Sequence, residues 1–417
     1  MISGQLLAAF VIDPMTGHVV LEMPGEGDLV LGRPRDLAAA RTHLDYVLDT
    51  FRGTLRRERP QLSEVAAALR ELDDQMAQVA LTLVGDNADL LDEIRERFVR
   101  AWSDWQVATD VVPVIEVRGH DDDFPFELLP LFDARKIVDL WNLVEAEAAA
   151  RRFVGFGAVV RRTIGERVEV AAIEAAPAIP LQLFTYDMTG AKREVEHLSS
   201  RAGHIELEGP WPGPDLTDDE VRELLIDALF DPTVTLAGAP RAGAPVQVQH
   251  FACHCVTENQ TDPGYTLVLG GPGKRRRTVS LSAIRQGFRQ RAQDRGRGSG
   301  ARPLVIANAC GSARIDKETR GSFPRWFLNN RHRGYVGTET DVPDTVAAAF
   351  AERLYGALLD GRPLGEAVVL ARRRLLADWG SPLGLLYVLY GDPSLAIEHH
   401  PPAANQHAAG FTSATRA

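Results

Sequence analysis

The sequence predicts an α/β protein, with a mixed, mostly parallel sheet flanked by helices and an N-terminal β-hairpin and helical segment before it. From residue 111 onward, short runs rich in Val, Ile and Phe alternate with helical stretches, as in βαβ units. Residues 33–108 repeat apolar residues at spacings of three and four, which is typical of helices. The first residues form two β-rich runs around the turn sequence PMTG.

Composition excludes several classes of protein. The chain has 417 residues, 45% hydrophobic and 25% charged, which suits a globular protein of two or three domains. Its net charge of −11 disfavours bulk attraction to nucleic acid or to a membrane surface. No apolar run approaches the roughly 18 residues needed to cross a bilayer, and no signal peptide is predicted. Three cysteines are too few for a disulfide scaffold, so we predict a cytoplasmic protein.

Residues 1–108 are predicted to form the hairpin and three helices. The strand runs are LLAAFVID and HVVLEM, and the helical runs are LAAARTHLDYVLDTFRGTL, LSEVAAALRELDDQMAQVALTLV and LLDEIRERFVRAWSDW. The apolar stripes of the helices indicate packing surfaces. A docking platform for a partner protein is the alternative interpretation.

The remainder is divided into three further segments. Residues 109–240 and 241–398 each alternate strands with helices, and the small-residue run LAGAPRAGAP separates them. We expect the first to be a non-catalytic half and the second a catalytic half of one α/β unit. Residues 399–417 lack any apolar period and are predicted to be a disordered tail.

A histidine and a cysteine occupy equivalent places in the catalytic half. His254 ends the apolar run VQVQHFACH, and Cys310 ends LVIANAC, 56 residues later. If these are parallel neighbours, both side chains emerge at the carboxyl edge of the sheet, where α/β sites form. A free thiol has a pKa near 8.5, so an adjacent imidazole is needed to raise the thiolate fraction and to protonate a leaving amine. The pattern favours a thiol–imidazole dyad.

A metal site is the competing interpretation of the same segment. Cys253, Cys255, His250 and Cys310 are potential zinc ligands, but Cys-x-Cys is not the usual zinc spacing and no second pair exists. Side-chain alternation places Cys253 and Cys255 opposite His254, where they are expected to be buried. We therefore predict no metal and no cofactor.

A basic region follows the catalytic histidine. Between residues 274 and 302 ten Lys or Arg residues face one acid, Asp294. Apart from Phe288 the region lacks the aromatic residues that stack on bases. A solvated helix and loop is favoured over direct binding of nucleic acid.

On a wider view, the C-terminal 290 residues resemble the CHAT domain, a caspase-like peptidase domain named for its association with helical repeats. The segments that carry the resemblance are FPFELLPL, HFACH, LVIANACGS, YVGTETDVPD, FAERLYGALLDGRPLGEAVVLARRRLL and VLYGDPSL. Their order is more specific than either the histidine or the cysteine motif alone. The resemblance implies a caspase-like sheet and cysteine peptidase chemistry.

The resemblance also implies roles for individual residues. Cys310 takes the role of nucleophile and His254 that of general acid and base. These enzymes usually have a glycine after the histidine, where this chain has Cys255. Any non-proline residue still offers a backbone N–H, so the N–H groups of Cys255 and Cys310 are the predicted oxyanion donors.

Four residues are predicted to bind substrate. Asn308 lies two residues before Cys310 on the same strand face, and Thr338, Glu339 and Asp341 lie at or just after the end of the next strand. The two acids favour a basic residue before the scissile bond, since a buried charge needs a partner. Asn308, being neutral, permits a neutral one.

The leading functional prediction is a CHAT-type cysteine endopeptidase acting on a protein substrate. The family association suggests a latent protease of a bacterial defence or cell-death system, controlled by a partner protein through the N-terminal helices. A catalytically idle scaffold with the same fold is the first alternative, and a metal-binding regulator is the second.

Overall fold

The structure is a computed structural model that describes residues 6–54, 59–108, 112–119, 124–133, 137, 139–162, 172–257, 264–270, 276–296, 302–314 and 321–399. The predicted tail beyond residue 399 lies outside these ranges, as do residues 274–275 and 297–301 of the basic region. The described part is a mixed α/β protein in which most strand pairs of the largest sheet are parallel, so the predicted fold class is confirmed.

The first sheet contains the predicted hairpin. Its strands are β1 Leu6–Ile12, β2 Val19–Glu22, β3 Leu29–Gly32, β4 Val114–Arg118 and β5 Val159–Arg162. They lie in the order β3-β2-β1-β4-β5, with β1 to β3 antiparallel and β4 and β5 parallel to β1. The hairpin is confirmed, and the third strand was not predicted.

Three helices cover this sheet. They are α1 Pro34–Thr54, α2 Leu62–Leu83 and α3 Ala88–Ala108, close to the predicted bounds. A capping box between Gln61 and Glu64 begins α2, and the Asn87 side chain accepts a hydrogen bond from the Leu90 amide at 3.1 Å to begin α3. Each helix buries the apolar stripe that its periodicity predicted.

The remaining elements follow in chain order. The strands are β6 Ile173–Ala175, β7 Ile179–Thr185, β8 Ile205–Trp211, β9 Val248–Ala252, β10 His254–Thr257, β11 Tyr265–Leu269, β12 Arg277–Ser280, β13 Leu304–Asn308, β14 Gly334–Thr338, β15 Tyr387–Gly391 and β16 Ile397–His399. The helices are α4 Leu143–Ala150, α5 Val154–Gly157, α6 Thr189–Ser200, α7 Asp218–Phe230, α8 Leu281–Arg295, α9 Phe323–Asn329, α10 Asp344–Leu359 and α11 Leu364–Trp379.

The central sheet has six strands in the order β15-β14-β13-β9-β7-β8. Its strands are parallel except for β15, which runs antiparallel to β14 at one edge. Strands β10, β11 and β12 form a separate antiparallel sheet, and β16 pairs with β6. Burial on both faces explains the continuous apolar runs in β9 and β13.

Two hydrophobic cores lie on opposite faces of the central sheet. One contains side chains of α6, α10 and α11 and continues without a break into the first sheet and helices α1 to α3. The other contains side chains of α7, α8, α9 and the small antiparallel sheet. The N-terminal elements therefore share a core with the face of the sheet on which α6 and α10 lie.

Strands from the predicted segment 109–240 divide between the two large sheets. Strands β4 and β5 join the N-terminal hairpin, whereas β7 and β8 join the central sheet. The predicted boundaries after residues 108 and 240 do not coincide with this division. None of the helices in the described ranges combines the length and apolar character that crossing a membrane requires.

Candidate active site

The register of two central strands brings His254 and Cys310 to the same edge. Strands β9 and β13 are parallel neighbours, and Ala252 lies opposite Asn308 in their ladder. His254 and Cys310 each follow these paired residues by two positions. Parallel pairing and equal offsets place both residues beyond the carboxyl ends of the strands, as the sequence predicted.

The local path of the chain at His254 differs from the prediction of one continuous strand. Strand β9 ends at Ala252, the chain bends at Cys253, and His254 begins β10, which pairs antiparallel with β11. The change of sheet turns the half-buried imidazole toward the edge, where its ring centroid lies 4.8 Å from that of Tyr186. Tyr186 follows β7, the next strand of the sheet, and its amide donates to the Ala252 carbonyl.

A tight turn after β13 carries Cys310. Gly311 has φ of 61°, a left-handed conformation that glycine adopts at little cost. The Thr338 hydroxyl donates to the Ala309 carbonyl at 2.9 Å and accepts from the Gly311 amide at 3.1 Å. The Ser312 hydroxyl donates to the Ala307 carbonyl at 2.9 Å. These bonds fix the backbone on both sides of Cys310 against β13 and β14.

A cavity of about 200 Å³ lies at this edge. Cys310 and His254 both line it, together with two of the predicted substrate-binding residues, Asn308 and Thr338. Its other lining residues come from the ends of the strands, from α6, from α10 and from the segments that precede these helices: Met188, Glu194, Cys253, Ala309, Val342, Asp344, Ala347 and Tyr387. The candidate dyad therefore opens onto one concave site.

The Cys310 thiol is held in its neutral form. Its Sγ lies 3.9 Å from the Val342 carbonyl oxygen, to which it donates. Burial raises the pKa of the Cys310 thiol, and the nearby Asp341 carboxylate raises it further, while hydrogen bonding by the Val342 backbone opposes the shift. A buried thiol beside an anion is a poor nucleophile until its environment changes.

The four predicted substrate-binding residues occupy different surroundings. Asn308 is buried, and its amide donates to Glu194 Oε1 at 2.8 Å while its carbonyl accepts from the Tyr387 hydroxyl. The Thr338 hydroxyl is engaged with the nucleophile turn.

Glu339 and Asp341 are absent from the lining of the cavity among the described residues. Asp341 is exposed and close enough to Cys310 to act on its thiol.

Glu339 points instead toward the N-terminal helices. Its carboxylate is buried, and Oε2 accepts from both terminal nitrogens of Arg41 on α1 at 3.3 Å. Burial raises the pKa of Glu339, and Arg41 opposes that shift. The structure thus connects the loop after β14 to α1 rather than bringing Glu339 to the cavity.

The other two cysteines are buried on either side of His254. Cys253 and Cys255 belong to the second core, and burial raises the pKa of both thiols. Cys255, a predicted oxyanion donor, lies in the β10–β11 ladder opposite Leu267. Within the described ranges no group of three or more His, Cys, Asp or Glu residues is arranged to hold a metal ion.

Three arginines of the described part of the basic region make local contacts. Arg291 donates to Asp227 at 2.7 Å and to Glu223 at 3.0 Å, and Arg295 also pairs with Asp227. Arg277 is buried and donates to the carbonyls of Pro214 and Leu216 at 2.8 Å.

Sequence analysis missed Glu194, Asp344 and Tyr387 as cavity residues. Glu194 is the one charged residue in the buried stripe of α6, which otherwise consists of Gly190, Ala191 and Leu198. A charge inside an apolar helical stripe is the signal that could have identified it. Tyr387 opens a strand whose apolar character concealed its hydroxyl.

Asp344 joins the two helices that border the cavity. At the start of α10, its Oδ2 accepts from the Gly190 amide of α6 at 2.8 Å. A Cβ at Gly190 would overlap the Asp344 backbone carbonyl, so this approach requires glycine.

Comparisons with known proteins place this site in context. The family model described as CHAT domain matches residues 124–402, two thirds of the chain, and its range includes every cavity residue. No curated protein sequence matches the chain significantly.

Several solved structures show distant similarity to this chain. The Arg-specific cysteine proteinase gingipain R is 10% identical over 75% of this chain and 69% of its own, with a TM-score of 0.42. The complex of its pro- and mature domains from Porphyromonas gingivalis is 10% identical over 78% of this chain and 72% of that one, with a TM-score of 0.41. The Saccharomyces cerevisiae separase–securin complex is 11% identical over 94% of this chain and 30% of that one, with a TM-score of 0.41.

Proposed function

Because this chain belongs to the CHAT domain family, we propose that it is a cysteine endopeptidase in which Cys310 and His254 form the catalytic dyad. The observation that carries the proposal is the cavity that both residues line, although they reach it from two different sheets. A thiol and an imidazole at one concave edge are the two groups that peptide cleavage through an acyl-enzyme requires.

In the proposed reaction His254 transfers the protons and the Cys310 thiolate supplies the attacking electron pair. The His254 imidazole takes the Sγ proton of Cys310, and the thiolate attacks the scissile carbonyl carbon, forming a C–S bond. The oxyanion is stabilised by backbone N–H groups, for which Cys310 and Cys255 remain the proposed donors. The imidazolium then protonates the leaving amine as the C–N bond breaks, and water hydrolyses the thioester with His254 again acting as base.

The state of the thiol supports latency. The pKa of the Cys310 thiol is raised by burial and by the Asp341 carboxylate, so both influences must weaken before the thiol can ionise readily. Moving the segment that holds Asp341 and Val342, so that His254 becomes the partner of the thiol, is the proposed activating change. This segment lies directly after Glu339, which α1 contacts.

Helix α1 is the proposed receiver of the activating signal. It holds the two segments that flank the nucleophile, through the buried Arg41–Glu339 pair and through Arg314, which donates to Asp45 at 3.0 Å. A protein partner that binds the N-terminal helices shifts this arrangement by its differential affinity for the two states. A bacterial defence or cell-death role in the cytoplasm, with a protein substrate, is the setting we propose for such a switch.

The test is covalent labelling of the full chain, alone and with the products of neighbouring genes, by peptidyl chloromethyl ketones. The thiolate displaces their chloride, and mass spectrometry locates the label. We expect the label on Cys310, its loss in Cys310→Ala, and a fall of roughly 100-fold or more in labelling rate in His254→Ala. His204→Ala removes an exposed histidine and serves as the matched control. A folded His254→Ala variant labelled at the wild-type rate would favour the idle scaffold and refute the dyad.

Latency is tested separately by peptide turnover. The full chain is assayed alone and with the products of neighbouring genes. Equal activity in all conditions would contradict a latent state. Deleting the N-terminal helices is unsuitable because they share a core with the central sheet.

A further inference from the structure

The cavity beside Cys310 has a buried carboxylate in its wall. Glu194 is only 3% exposed, yet it lines the cavity that contains Cys310 and His254. Its Oε1 accepts from the Asn308 amide at 2.8 Å, and its Oε2 lies within hydrogen-bond distance of His250 Nε2. Each carboxylate oxygen has a second lone pair, so both can accept a further hydrogen bond.

The hydrogen bonds around Glu194 identify its charge state. His250 Nδ1 lies 2.9 Å from the Tyr355 hydroxyl. If Tyr355 donates to Nδ1 and Nε2–H donates to Glu194, each proton has one acceptor and the imidazole is neutral. A doubly protonated His250 would leave the Tyr355 proton without an acceptor among the described residues. Glu194 is therefore an anion whose neighbours, Asn308 and His250, are neutral.

No cation of this chain compensates that anion in the described structure. Within the described residues, the one basic side chain paired with Glu194 is the neutral imidazole of His250, and the cavity lining contains neither Lys nor Arg. Asp344 adds a second carboxylate to the lining, and Asp341 lies beside the thiol. A buried charge of this kind is stabilised by a partner that enters from outside.

Other walls of the cavity are apolar and suit the long hydrocarbon stem of a side chain. Met188, Ala347 and Val342 give the cavity apolar surfaces, and a volume of about 200 Å³ holds six or seven water-sized groups at about 30 Å³ each. Lysine and arginine side chains combine an apolar stem with a cationic end. Both features match the cavity.

We infer that Glu194 is the specificity-determining residue of this site and that it selects a lysine or arginine side chain immediately before the scissile bond. The inference rests on the proposed peptidase function. It assigns to Glu194 the role that the sequence suggested for Glu339 and Asp341. Asn308 is then a positioning residue, because its amide holds the Glu194 carboxylate and its carbonyl is held by Tyr387.

The experiment uses four peptidyl chloromethyl ketones that differ only in the residue before the ketone, which is Arg, Lys, Gln or Leu. Rates of Cys310 labelling are measured on the full chain, on Glu194→Gln and on Glu196→Gln. Glu196 is exposed on the same helix and is the matched control. We expect Arg and Lys to react roughly 100-fold faster than Gln and Leu, with the difference lost in Glu194→Gln and kept in Glu196→Gln.

A second measurement is independent of turnover. Agmatine, a guanidinium on an apolar stem, should bind the Cys310→Ala protein in calorimetry and should fail to bind the Cys310→Ala/Glu194→Gln protein. His254-dependent labelling at equal rates for all four ketones would overturn this inference and leave the peptidase proposal intact. Agmatine binding without any Cys310 labelling, whether or not the products of neighbouring genes are present, would contradict the peptidase and support the cation site alone. Absence of both would refute the two proposals together.

Discussion

Two glutamates are buried near the nucleophile, and they differ in what surrounds them. Glu339 follows β14 and faces the Arg41 guanidinium of α1. Glu194 on α6 faces neutral Asn308 and His250 and borders the cavity. The Glu339 carboxylate is compensated by a cation of the same chain and has a structural role. The Glu194 carboxylate is not compensated in this way, so it is open to a ligand.

The largest effect is expected from breaking the compensated pair. Arg41→Met leaves Glu339 buried without its cation, which costs about 3–5 kcal/mol of unfolding free energy. Urea unfolding measures the loss. The double variant Arg41→Met/Glu339→Met should recover most of it, since apolar side chains can replace a buried ion pair. Arg35→Met, on an exposed position of α1, is the control.

The stability loss of Arg41→Met is also expected to depend on pH. Burial already raises the pKa of Glu339, so its contribution to stability is complete below the ordinary glutamate pKa and declines as pH rises through the raised value. Loss of Arg41 raises that pKa further. The deficit of Arg41→Met should therefore grow as the pH rises above the ordinary glutamate pKa. A pH-independent deficit would show that packing, not charge, makes Arg41 important.

A smaller effect on stability is expected from the uncompensated glutamate. Glu194→Gln keeps the shape and removes an uncompensated buried charge, which offsets the hydrogen bond that the amide cannot reproduce. The unfolding free energy should change by less than about 1 kcal/mol. A loss as large as that of Arg41→Met would mean that the fold itself needs the Glu194 charge, and the contrast between the two glutamates would fail.

The smallest effect is expected at the Cys310 thiol. Asp341→Asn removes an anion that raises the pKa of Cys310, so the thiolate fraction at neutral pH should increase. Alkylation of Cys310 by iodoacetamide should accelerate severalfold and its pH profile should move to lower pH. Asp360→Asn, at an exposed position after α10, should leave the profile unchanged. An unchanged profile in Asp341→Asn would assign the raised pKa to burial alone.

Local signals predicted much of this architecture. The hairpin, helices α1 to α3 and the parallel neighbours that carry His254 and Cys310 follow from apolar periodicity and from the geometry of α/β sheets. Periodicity does not state which sheet a strand joins. For that reason the sequence did not place β4 and β5 beside the N-terminal hairpin.

The interpretation of the acidic residues depended on long-range contacts. Arg41 and Glu339 are 298 positions apart, so no local pattern could pair them. Glu194 lies in a helix that carries several charged residues, and its sequence alone does not distinguish a buried charge from a solvated one. Its burial results from packing against β9 and α10, which the isolated helix does not reveal.

The close approach of Gly190 to the start of α10 has a consequence for how this site can diversify. The two helices that face the cavity meet where Gly190, which has no side chain, approaches the Asp344 backbone, so their separation is set at this contact. A single methyl group at position 190 would force the helices apart while leaving Cys310, His254 and Glu194 unchanged in sequence. Substitution at position 190 would therefore change the size of the side chains that the cavity accepts. A comparison of catalytic motifs would not reveal this change.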